Sequence, residues 1–197
     1  MRVLLAGEIM KKVVLTFIIG VLLLTGCSEK IEDLLVIEGN GNGNKTDSMK
    51  FKEEFEALNS TGIELDIDIN NPIKFLNENE IINFLEEKTG VVFMGTPNCN
   101  QSRNILPILF EVVDENNIDS IYYLNPNNLK EEVYVSLLEN YLENAQEITT
   151  PNVLFVRNGE VVGRGVVSST PPEEMTHYQK DIIKENYLNF ILKMQGE

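Results

Sequence analysis

Between Ile63 and Ile69 the chain alternates strictly: Ile63-Glu64-Leu65-Asp66-Ile67-Asp68-Ile69. That is the period of a half-buried strand, with its acids on one face. Just before it, Phe51, Phe55 and Leu58 recur at helical spacing and predict a short helix over 51–59. Asn77 with Glu80 three residues on reads as a capping box for a helix striped by Ile81, Ile82 and Leu85, and Gly90 suits its stop. Val91 to Gly95 is a short apolar strand. Thr96-Pro97-Asn98-Cys99 then turns into a helix carrying Leu106, Leu109, Phe110 and Val113, which Pro107 should kink. Ile118 to Leu124 reads as a buried strand that sends Tyr122 and Tyr123 to opposite faces. Asn128 and Glu131 repeat the capping pattern ahead of Tyr134, Leu137, Leu138 and Tyr141. Asn152–Val156 and Glu160–Val167 are strands joined by the hairpin signal Asn158-Gly159. A last helix after Pro171-Pro172 shows Ile183, Tyr187, Phe190, Ile191 and Met194. The order β-α-β-α-β-α-β-β-α predicts an α/β fold: a mixed sheet, parallel but for the final hairpin, with helices on both faces.

The first 27 residues follow a different pattern. Lys11-Lys12 precedes an apolar run from Val13 to Leu24, too short to span a bilayer and suited to a signal peptide. The run ends in Leu24-Thr25-Gly26-Cys27, which resembles the lipobox of bacterial lipoproteins. The resemblance implies cleavage before Cys27, acylation of Cys27 by palmitate-like chains, and anchoring at the extracytoplasmic face of the cell membrane. Met10-Lys11-Lys12 would open such a peptide as well as Met1 does. Gly39-Asn40-Gly41-Asn42-Gly43-Asn44 is poor in apolar residues and reads as part of a flexible tether. The expected division is a signal peptide over 1–26, lipidated Cys27 with a tether over 27–48, a helical extension over 49–62, and an α/β domain over 63–197.

The chain has 197 residues, 43% of them hydrophobic, enough for one domain with an ordinary core. Its formal charge of −15 argues against a nucleic-acid partner. Loss of residues 1–26 removes Arg2, Lys11, Lys12 and Glu8 and makes the charge −17. Anionic headgroups would repel such a domain, so the lipid must hold it at the membrane. Two cysteines and a single histidine, His177, are too few for a disulfide framework, a multi-histidine metal centre or an iron–sulfur cluster. Asp66, Asp68 and Asn70 lack the glycine and terminal glutamate of a calcium loop. No Walker or dinucleotide glycine pattern occurs, so no cofactor and no metal is implied. His177 is expected to face solvent. Glu131-Glu132 and Glu173-Glu174 sit in first helical turns, where the dipole favours acids.

Three features carry a resemblance to the thioredoxin fold. Cys99-Asn100-Gln101-Ser102 stands where thioredoxins carry Cys-x-x-Cys. Pro107 falls eight residues after Cys99, at the place of the family's helix-kinking proline. Thr150-Pro151, followed by Val153-Leu154-Phe155-Val156 and Asn158-Gly159-Glu160, resembles the cis-proline loop and hairpin. Within that group, Gly95-Thr96-Pro97-Asn98-Cys99 and Arg103-Asn104-Ile105-Leu106-Pro107 are similar to thioredoxin-like proteins related to bacteriocin-transport accessory proteins. The resemblance implies a site of Cys99 and Ser102, with Thr150, Pro151, Pro97 and Asn98 around a bound peptide and Pro151 cis. Cys99 at a helix start should have a lowered pKa, and Arg103 should add positive charge beside it.

The departures from the family matter as much. Ser102 cannot resolve a mixed disulfide. Asn98 replaces the aromatic common before the cysteine, and Phe93 stands where thioredoxins bury an acid. Two readings follow. One is a membrane-anchored accessory protein that binds exported peptides or proteins, beside a peptide exporter and with little or no dithiol chemistry. The other is single-cysteine thiol–disulfide exchange or isomerase-like activity at Cys99, a part in cell redox homeostasis.

Overall fold

The structure, a computed structural model, describes residues 45–142 and 145–197. The expected signal peptide, Cys27 and most of the expected tether lie outside these residues.

Among the described residues five strands form one sheet in the order β1-β3-β2-β4-β5. They are β1 (Ile73–Phe75), β2 (Gly90–Met94), β3 (Ile121–Leu124), β4 (Asn152–Arg157) and β5 (Glu160–Arg164). β3 runs parallel to both β1 and β2, whereas β4 is antiparallel to β2 and β5 to β4. Among the described residues five α-helices pack around the sheet: α1 (Lys45–Glu56), α2 (Glu78–Glu87), α3 (Asn100–Glu115), α4 (Glu131–Asn140) and α5 (His177–Gln195). The mixed α/β architecture is the one read from the sequence, and the order of elements agrees from α2 onward; the first strand is a different segment from the one expected.

Strand alternation divides the core in two. Val91, Phe93, Ile121, Tyr123, Val153 and Phe155 face α1, α3 and α5. Val92, Met94, Leu124, Leu154 and Val156 face α2 and α4. Tyr122 and Tyr123 split between these clusters as expected. α3 is buried along much of its surface, by Ile105, Leu106, Ile108, Leu109, Val112 and Val113, and Pro107 lies inside it on the solvent side.

Several boundaries differ from the sequence reading, among them the start of β3, which is Ile121 and not Ile118. The segment expected as a strand over 63–69 is not one. Its alternation is real, because Leu65 and Ile67 are buried while Glu64, Asp66 and Asp68 are exposed. Its backbone, however, pairs with side chains of the preceding segment instead of another strand. Asn59 donates to the Leu65 carbonyl at 2.8 Å and accepts its N–H at 3.0 Å. Glu56 accepts the Ile67 N–H at 2.7 Å, and Lys52 donates to the Ile67 carbonyl at 2.6 Å. The first sheet strand is β1, too short to show a period.

The helix α1 starts at Lys45, inside the stretch expected as tether. Asp47 accepts the Phe75 N–H at 3.2 Å, and Ser48 donates to the Asn71 carbonyl at 2.7 Å, which ties this turn to β1. Asn128 does not cap α4: it ends a short 3-10 turn (Pro126–Asn128) capped by Asn125, and α4 begins after Lys130 without a side-chain cap. The Asn77–Glu80 capping box forms as read. β5 ends at Arg164, short of Val167.

Candidate functional site

The sheet register builds the site. Met94 and Asn152 are the last partners of the antiparallel β2–β4 ladder. The turn after β2 and the loop before β4 therefore emerge at the same end of the sheet. The turn carries Pro97, Asn98 and Cys99, and the loop carries Thr150 and Pro151, whose peptide bond is cis. The cis bond is the one implied by the resemblance.

Cys99 is the N-cap of α3, and its sulfur takes the place of a capping oxygen. Sγ accepts the Ser102 N–H at 3.4 Å. A cap residue sits at the positive end of the helix dipole, beside N–H groups with no helical partner. As a thiol, Cys99 also donates to the Thr150 carbonyl at 3.3 Å, which joins turn to loop. Cys99 is half-buried, Asn98 is exposed, Pro97 and Thr150 are half-buried, and Pro151 is buried.

Ser102 is fully buried on the next turn of the helix. Its hydroxyl oxygen accepts the Thr96 N–H at 3.3 Å, which leaves the hydroxyl proton free to turn toward sulfur. Burial pushes the Cys99 thiol up. Hydrogen bonds from the Ser102 hydroxyl and N–H, the Thr150 side chain and the Gln101 N–H outweigh it, and the pKa falls below the ordinary cysteine value.

Arg103 departs from its expected role. Its guanidinium is buried and turned toward carbonyl oxygens, those of Phe55, Ile63 and Pro97, and toward the side-chain oxygen of Asn59. Its charge does not figure among the causes that lower Cys99; hydrogen bonds do that work. Phe93, where the family would place an acid, is fully buried and stacked on Tyr123 with ring centres 5.9 Å apart. Gly95 makes room for that ring, since a Cβ there would lie 2.4 Å from it. His177 is exposed at the start of α5. Among the described residues no cluster of acids, histidines or cysteines could hold a metal, and no helix is long and apolar enough to cross a membrane.

A β1-β3-β2-β4-β5 sheet, an antiparallel terminal hairpin and a cis-proline loop facing a helix-capping cysteine define a thioredoxin-like fold. Solved thioredoxins match the chain. One from Trypanosoma brucei brucei gives a TM-score of 0.41 at 10% identity, over 64% of this chain and 98% of that one. Thioredoxin O2 from Arabidopsis thaliana, in its oxidized state, gives 0.39 at 14% identity, over 59% and 96%. A thioredoxin from Aeropyrum pernix gives 0.35 at 16% identity, over 54% and 84%. No family model matches the chain, and no curated protein does. The fold class rests on the strand order and register.

Proposed function

We propose that this protein is a membrane-anchored, extracytoplasmic accessory protein of thioredoxin-like fold that engages an extended segment of an exported polypeptide at Cys99 without running a dithiol cycle. The observation that carries this reading is the pairing of Cys99 with the cis Thr150–Pro151 loop, while a buried serine occupies the position of a second thiol. The Thr150 backbone can meet a polypeptide as an added strand, with Pro97 and Asn98 on the opposite side. The lipobox-like Leu24-Thr25-Gly26-Cys27 supports the anchor, and the sequence around Cys99 supports a bacteriocin-transport-like role beside a peptide exporter.

The lowered Cys99 pKa favours a second reading, single-cysteine exchange. In that step the Cys99 thiolate attacks a disulfide of the bound polypeptide. A mixed disulfide forms, the other substrate sulfur leaves as thiolate, and an external thiol must release the product.

One set of full-length variants tests both parts. Ser102→Cys should form an intramolecular disulfide with Cys99 in air and acquire thiol-driven reduction of a disulfide protein such as insulin, which the wild type should not show. Both thiols staying free would contradict the site geometry, and wild-type turnover equal to that of the variant would contradict the absence of a dithiol cycle. Cys27→Ala should leave the detergent phase for the aqueous one; unchanged partitioning would defeat the anchor. Mixed disulfides trapped in cells by the wild type and lost in Cys99→Ala would select the exchange reading.

A further inference from the structure

Arg103 presents a buried cation whose acceptors, among the described residues, are all neutral. Nε donates to the Ile63 carbonyl at 2.8 Å, and a terminal nitrogen reaches the same oxygen. The other donors go to the Phe55 carbonyl, to Asn59 Oδ1 at 2.6 Å and to the Pro97 carbonyl at 3.2 Å. Only 1% of the residue is exposed. A guanidinium without a carboxylate partner needs nearly every donor satisfied to be tolerated inside a protein. Here the donors are shared between two places: the end of α1 with the 59–63 loop, and the turn that presents Cys99. The approach of that loop is close, because a Cβ on Gly62 would lie 3.2 Å from Nε.

We infer that Arg103 is a positioning residue that fixes the Pro97–Cys99 turn, and with it the Cys99 sulfur, against the N-terminal segment. The inference rests on Cys99 being the working group of the proposed site, but not on what that site binds. The Pro97 carbonyl is the only atom of the turn that the guanidinium holds. That turn is otherwise closed by the Cys99 N–H to the Thr96 carbonyl at 3.1 Å and by the Thr96 N–H to Ser102 at 3.3 Å. Releasing Pro97 loosens the approach of Sγ to the Ser102 N–H and to the Thr150 side chain, the donors that favour thiolate. The N-terminal segment is then one wall of the site's support.

The test is the alkylation rate of Cys99 by iodoacetamide against pH, read on the Cys99 peptide by mass spectrometry in the full chain. Wild type is compared with Arg103→Met, Arg103→Lys and Asn59→Ala, with thermal melts recorded alongside. The midpoint should move to higher pH in Arg103→Met, with the rate at neutral pH falling roughly three- to tenfold. It should move less in Arg103→Lys, which keeps a hydrogen-bond donor at this position, and in Asn59→Ala, which leaves the Arg103 donor to the Pro97 carbonyl in place. Folded variants that titrate at the wild-type midpoint, whatever their melting temperatures, would reduce Arg103 to a structural pin and overturn the inference. If Arg103→Met does not melt cooperatively, the other two variants decide by the same criterion. Failure of the chain to bind any polypeptide would count against the proposed function and leave this result standing.

Discussion

A sulfur that caps a helix accepts the hydrogen bonds that a thiolate accepts more strongly, so capping and acidity are one effect at Cys99. Its pKa lies lower in the folded chain than in the unfolded one, where cysteine titrates at about 8.5. Deprotonation therefore stabilises the fold. The contribution is fully present above the unfolded value and is lost as pH falls through the folded value. The melting temperature of the wild type, taken relative to Cys99→Ser, should rise with pH across that window. A difference that stays flat with pH would contradict it. At this scale Cys99 and Ser102 were legible because helix-start position and spacing are local. The direction of Arg103 was not, since its acceptors at Phe55 and Ile63 lie 48 and 40 residues away along the chain. Nor did the sequence show that Phe93 fills the acid's place by stacking on Tyr123.

The helices show what local signals can and cannot specify. Asn77 with Glu80 and Thr176 with Gln179 both form capping boxes. Thr176 accepts the Gln179 N–H at 3.2 Å, and Gln179 accepts the Thr176 N–H at 2.9 Å. Thr176→Ala should lower stability by about 1 kcal/mol in urea unfolding. A change within a few tenths would mean that the cap is dispensable to α5. Asn128 and Glu131 carry a similar pattern, yet Pro126 starts a 3-10 turn first and takes its cap from Asn125. The residues 63–69 teach the complementary lesson. Alternation reports which side chains are buried, and it did so correctly for Leu65 and Ile67, but it is silent about what pairs with the backbone. Here side chains of Lys52, Glu56 and Asn59 do.

Across the whole molecule, the site exists because an antiparallel ladder between β2 and β4 brings residues about fifty positions apart to one sheet end. Periodicity predicts strands but not that register, so the meeting of Cys99 with Pro151 was legible only through the resemblance of the two loops to a known fold. Outside that meeting the protein is acidic, at −15 overall, and among its described residues offers no metal cluster. One sulfur, that of Cys99, stands at the junction of the turn and the loop. The most direct test is the pH dependence of Cys99 alkylation in the wild-type chain, with Ser102→Ala beside it. The account predicts a midpoint below that of a free cysteine, moving up when the Ser102 hydroxyl is removed. A wild-type midpoint at or above the free-cysteine value would contradict it.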